Sequence, residues 1–315
     1  MWRNRFGTSL CLSLLLLMSA GAVRAATLHV NCGGNTGLTS IGAALKVLKY
    51  SEDGGPSTIN VSGTCNEDVV IQSMDRVTLN ALNGASINDP SQGVNVTLVI
   101  DDSRDVAINN FVINGYAAGT SGNDVVWCQN ASVCRFNGDT VQNAPQGAGI
   151  GVYSGSYADI EGGFLQNNSS WTGLAVLRSA RARAQGVTSQ RNWRGFVVAE
   201  GGHLQLNSST SANNIDMGIM IRQGAALDCN VCSVTGNGSH GINAEQSSVV
   251  TLISASVTGN VGAGINLTNL SSATLEGSGT VTNNNSGLGD IVCNPNYTTV
   301  AGLPGAVVGK VVNCP

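Results

Sequence analysis

The chain has 315 residues, of which only 11% are charged and 4% aromatic, with 41 glycines and a formal net charge of −4. That balance excludes a general nucleic-acid binder, which needs a basic surface, and no later segment is apolar for long enough to cross a membrane. Asn, Ser and Thr fill the polar share, and they suit turns and sheet faces better than helix surfaces.

The first predicted element is a leader. "MWRNRFGTSLCLSLLLLMSAGAVRAA" sets Arg3 and Arg5 ahead of an apolar run, then Val23 and Ala25 ahead of a cut. That is the pattern of a secretory signal peptide over 1–26. The expectation is a soluble monomer, extracellular or periplasmic, with no membrane insertion and no nucleic-acid partner. Losing three arginines with the leader leaves 12 basic against 19 acidic residues, a net −7. Next comes "LTSIGAALKVLKY", with Leu38, Ile41, Ala44, Leu45 and Leu48 at helical spacing. Residues 27–56 are therefore expected to hold a strand and a short capping helix that covers open strand edges.

From 57 to 292 the sequence repeats. Units opening at Gly149, Gly173, Gly195, Gly218 and Gly241 run for 24, 22, 23, 23 and 23 residues, and another opens at Gly264. Apolar residues alternate in three short bursts per unit, which predicts three short strands. Asn167, Asn213, Asn237, Asn260 and Asn283 recur at one bend, and an inward Asn column is expected to form a hydrogen-bonded ladder. Such a unit is one coil of a parallel β-solenoid. "RVTLNALNGASI" and "DVAINNFVINGY" carry looser versions of the pattern upstream. The fold expected is all-β, with roughly ten coils of about 23 residues, a rod on the order of 50 Å long. Residues 293–315 read as a C-terminal cap.

Eight cysteines follow the leader. An even number in an exported chain reads as disulfides, and neighbour pairing gives Cys32–Cys65, Cys128–Cys134, Cys229–Cys232 and Cys293–Cys314. "CNVC" at Cys229 also fits zinc or a redox pair. A redox pair, however, wants a helix N-terminus, and zinc would need a second ligand pair where only His203 and His240 are near.

"TINVSGTCNEDVVI", "RVTLNAL" and the later Asn-x-x-Gly-Ile coils resemble the right-handed parallel β-helix proteins of the pectin-lyase-like superfamily, over nearly all of the chain after the leader. The resemblance implies the fold; these motifs occur in enzymes and non-enzymes alike. Of the family's polygalacturonase signatures (Asn-Thr-Asp, Asp-Asp, Gly-His-Gly, Arg-x-Lys), only Ser239-His240-Gly241 approaches one. The calcium-binding acids and Arg base of its pectate lyases find no match, so no mechanism carries over residue by residue. The cofactor is open: calcium would fit the family, and the sequence requires none.

Aligned coils place Arg135, Asp159, Arg183, Gln205 and Asp228 in one outward column, and Tyr157, Arg181 and His203 in another on the same face. Arg178, Glu200, Arg222 and Glu245 recur nearby. Asp159, Arg181, Arg183 and His203 are the candidate catalytic residues, since proton abstraction from a uronic acid needs acid, base and imidazole together. The plainer alternative is a ladder of cross-strand charge pairs. Between Glu161 and Glu200 there is no acid, but five arginines: Arg178, Arg181, Arg183, Arg191 and Arg194. Trp171 and Trp193 flank this stretch at neighbouring rungs. Tyr157, Trp171, Arg178, Trp193, Arg194 and Asp228 are thus the candidate ligand contacts, a platform for carboxylated or sulfated sugars. Stacked tryptophans covering a turn beside Arg194 are the alternative. The functional expectation is an exported protein that binds an acidic polysaccharide, with lyase or hydrolase cleavage open. The alternative is a non-catalytic surface, structural or adhesion rod.

Overall fold

A computed structural model describes residues 25–50, 55–284, 289–294, 299–301 and 307–314. Nearly all of the predicted leader lies outside the described residues. The chain winds as a right-handed parallel β-helix of about ten coils with three sheets along its length. The first sheet starts at Ala26–Cys32, which pairs in parallel with Ser57–Asn66. That second strand runs through a bend and joins the second sheet as well, so the two make one array of 22 strands. The third sheet has 11 strands, from Val69–Gln72 to Val311–Val312. Each strand pairs with its counterpart one coil away, as in Tyr157↔Arg181↔His203. This is the register the repeat predicts.

Alternation fixes what lies inside. In Arg181–Gln185 the inward Ala182 and Ala184 are buried while Arg181 is exposed. Stacked Ile, Leu and Val fill most of the bore, and Phe111, Phe136 and Phe196 are the largest side chains within it.

The bend between the second and third sheets uses two adjacent residues in distinct ways. Asn167, Arg191, Asn213, Gly236, Gly259 and Asn283 adopt φ of 54–67°, a left-handed conformation that Gly and Asn tolerate best. The next residue in each coil (Asn168, Asn192, Asn214, Asn237, Asn260, Asn284) turns inward and is buried. Each inward carboxamide bonds to its successor: Asn214 Nδ2 donates to Asn237 Oδ1 at 2.9 Å, and Asn237 Nδ2 to Asn260 Oδ1 at 2.8 Å. Asp290 ends the column by accepting from Asn284 Nδ2 at 3.0 Å. The ladder exists, but its register corrects the sequence reading: Asn167, Asn213 and Asn283 are the left-handed residues beside it, not its members. At the corner from third to first sheet, pairs such as Arg178–Ser179 (φ 57° and 58°) make two-residue turns.

The predicted capping helix spans Ile41–Tyr50 and buries Ile41, Ala44, Leu45 and Leu48. Ser40 Oγ accepts from Ala43 N–H at 3.1 Å. Glu67 accepts from the Ile41 and Gly42 N–H groups at 2.6 and 2.9 Å, so a carboxylate from the first coil caps the helix. The four disulfides pair as neighbours. Cys229 and Cys232 are bonded to each other and buried, which removes the free thiolates a zinc site would need. No helix among the described residues is long and apolar enough to cross a membrane.

Candidate functional site

Two outward faces carry chemistry. On the first sheet the predicted columns form in register, Arg135↔Asp159↔Arg183↔Gln205↔Asp228. They largely satisfy themselves. Arg183 Nη1 donates to Asp159 Oδ1 at 2.8 Å and to Glu161 Oε1 at 3.2 Å. Arg135 pairs with Asp105 at 2.9 Å, and His203 Nε2 lies 2.8 Å from Asp228 Oδ2. These pairs are partly solvated, worth on the order of 1 kcal/mol or less each. Arg181 stands exposed between Tyr157 and His203, with no ion pair among the described residues.

The third sheet differs. In its middle coils the outward row, Gly151, Ala175, Val197, Met220 and Asn243, is buried, although it alternates with core residues. These floor side chains are mostly small, and larger groups rise on both rims. Asp124, at the N-terminal end of its strand, accepts from Ala148 N–H at 2.6 Å and, at 2.5 Å, from the Oη of Tyr153, which reaches it across the row from the C-terminal rim. Burial pushes the Asp124 carboxyl up to about 6, and burial plus the adjacent acid push the Tyr153 hydroxyl well above its ordinary range. Gly151 is required here: a Cβ would stand 2.1 Å from Asp124 Oδ2 and 2.3 Å from the Tyr153 ring. The Arg178 guanidinium sits 5.7 Å from the centre of that ring and 3.7 Å from Glu200.

The N-terminal rim, which also holds Asp124, is the bend after the second sheet. Trp171 and Trp193 occupy neighbouring rungs, since Thr172 pairs with Arg194 and the Arg194 N–H donates to Trp171 O at 2.7 Å. Arg194 Nε donates to Asp216 Oδ2 at 2.8 Å in a mostly buried pair. One coil on, His240 Nδ1 accepts from Ala263 N–H at 3.0 Å, and burial pulls the imidazole pKa down, so the ring is neutral with its proton on Nε2. A third-sheet strand of five residues separates the rims by about 16 Å. The result is a face, the third-sheet trough, in which a row of mostly small, covered residues, bridged over Gly151 by the Asp124–Tyr153 pair, runs between rims of aromatic and guanidinium groups.

The candidate residues therefore divide between the faces. Trp171, Trp193 and Arg194 lie on one rim of the third sheet and Arg178 on the other; Tyr157, Asp159, Arg181, Arg183, His203 and Asp228 lie on the first sheet. The five arginines are spread around the rod's circumference rather than gathered in one patch. Sequence reasoning missed Asp124, Tyr153 and Asp216. Among the described residues, the cluster with metal-ligand proximity is Cys32, Cys65 and Glu67. Its two sulfurs are bonded to each other and its carboxylate caps the helix, so it does not suit a cation.

No curated protein matches the chain. Among solved structures, the A-module of mannuronan C-5 epimerase AlgE4 from Azotobacter vinelandii is similar, with a TM-score of 0.66 at 12% identity, covering 90% of this chain and 96% of that one. The pectate lyase Pel9A superposes with a TM-score of 0.52 at 12% identity, covering 91% and 78%. At such identity the likeness concerns the fold alone, a right-handed parallel β-helix. Residues 92–278, more than half of the chain, match the family described as the right handed beta helix region, and the chain belongs to that family.

Proposed function

We propose that the protein is exported and binds an acidic polysaccharide lengthwise along the third-sheet trough. One observation carries the reading: an outward sheet row that is buried and small, Gly151 to Val197, between rims bearing Trp171, Trp193, Arg178 and Arg194. Stacked aromatic faces suit sugar rings, and guanidinium groups suit their carboxylates. The two similar structures are named for acidic polysaccharides, mannuronan and pectate, which supports this ligand class. Four disulfides fit an oxidising compartment. Trp193→Ala, at a half-exposed position, is expected to weaken oligouronate binding about tenfold, the worth of one stacked ring, with Tm unchanged. Calorimetric titration of both proteins measures this. Equal affinities would remove the trough as the binding face.

The first sheet supports a second reading, turnover of the bound polymer. There the His203–Asp228 pair lies beside the unpaired Arg181 and beside Tyr157. Incubation with pectate and mannuronan, with and without calcium, checks it by mass spectrometry of the products. Unsaturated ends that vanish with His203→Ala would support a lyase and saturated ends a hydrolase, while unchanged polymers would leave binding alone.

A further inference from the structure

The trough has a closed end. Helix Ile41–Tyr50 packs on the first coil, and between it and the first third-sheet strand, Val69–Gln72, lies a cleft of about 350 Å³. Lys46 and Lys49 line it from the helix; Asp68, Val70, Gln72 and Met74 line it from the coil. Val70 belongs to the outward row that continues through Val99 and Trp127 to Gly151. Three rungs, about 14 Å, separate Val70 from Gly151. Followed toward the N-terminus past the Asp124–Tyr153 pair over Gly151, the row therefore leads to this cleft and to the helix beyond it.

We infer that the cleft receives the terminal residue of an acidic sugar chain, with Lys46 and Lys49 taking its carboxylate. This rests on polysaccharide binding in the trough and adds the end of the chain to it. The charge suits an anion. Neither lysine has an ion-pair partner among the described residues, and Asp68 is the single acid of the lining, leaving it net positive by one. Asp68 is turned to other work: one oxygen accepts from Asn95 Nδ2 at 2.8 Å and the other is shielded from water. Val70, 52% exposed, and Met74 offer an apolar surface to the carbon face of a sugar ring. A cleft of this size is in the range of small-molecule sites.

The consequence is end recognition rather than binding at any point along a polymer. The test uses the full chain and oligogalacturonates and oligomannuronates of defined length, titrated by calorimetry. The expected stoichiometry is one protein per oligomer, however long the oligomer. Lys46→Gln/Lys49→Gln, two changes at exposed helix positions, is expected to weaken binding about tenfold, the worth of one charge-assisted contact. Lys310→Gln at the far end should not weaken it, and carboxyl-reduced oligomers should bind wild type and double variant alike. Protein bound in proportion to oligomer length would overturn the inference, as would full affinity in the double variant. Failure of the wild type to bind any oligomer would instead sink the trough itself. Circular dichroism of each variant excludes unfolding as the cause.

Discussion

Asn237→Ala is expected to destabilise the protein by about 3 kcal/mol, roughly 6–9 °C in Tm. Asn237 is fully buried, and its side chain serves both neighbouring coils. Its Oδ1 accepts from the Asn214 backbone N–H at 3.1 Å and from Asn214 Nδ2 at 2.9 Å. Its Nδ2 donates to Asn260 Oδ1 at 2.8 Å and to Ser211 O at 3.3 Å. Truncation removes these four bonds and leaves the buried Asn214 N–H and Ser211 O short of a partner, at about 1–3 kcal/mol for an unpaired group, while Asn260 Oδ1 still accepts from the Asn237 N–H at 3.1 Å. Asn213→Ala is the control. Asn213 is exposed and holds φ of 54°, so its loss costs only about 1 kcal/mol of left-handed strain. Thermal melts of the two variants decide the matter: equal shifts would mean that the inward column is not the continuous ladder described above.

Asp139→Asn is expected to stabilise the protein at pH 8 and to change little at pH 4. Asp139 is buried at the bend between the first and second sheets, where its Oδ1 accepts from Phe111 N–H at 2.7 Å and its Oδ2 has no hydrogen-bond partner among the described residues. Burial pushes its carboxyl from 3.8 up to about 8. The folded protein therefore keeps the proton through a range in which the unfolded chain releases it. Stability is then complete below about pH 4 and declines as pH rises toward about 8, by on the order of 5 kcal/mol. Asparagine keeps the acceptor for Phe111 and removes the titration. Asp124, pushed up to about 6, adds a shallower decline of the same sign to both proteins and so cancels in the comparison. Melting wild type and variant at pH 4, 6 and 8 measures the gap. A gap that did not widen with pH would show that Asp139 ionises as an ordinary acid.

Much of the architecture was legible because a solenoid writes its period into the sequence. The Gly-apolar openings from Gly149 to Gly264 set the coil, and the five apolar or small positions from Leu38 to Leu48 mark the helix. The ladder's register was not legible where Asn stands twice, as in Asn213-Asn214: either could bend and either could point inward, and only backbone conformation separates them. On the first sheet the columns were correct, yet pattern alone does not show that Arg183 is already shared between Asp159 and Glu161. The third-sheet trough was hidden for a different reason. Asp124 precedes the regular units and meets Tyr153, 29 residues later, through a neighbouring rung, and the gap that admits both is the absence of a side chain at Gly151.

Because the regular coils from Gly149 onward repeat the same contacts at nearly the same offsets, that part of the molecule is modular in a way its genes can exploit. Excising Gly218–His240, 23 residues, would join Met217 to Gly241 and hand Asn214 directly to Asn260. The cut takes Cys229 and Cys232 together, so no thiol is orphaned, and it spares the Arg194–Asp216 pair. The product would be the same rod shortened by one rung, about 4.8 Å. Length is thus a quantity that whole-coil duplication or loss can tune without redesigning the interior, and the number of sugar units such a rod spans is set by the same count.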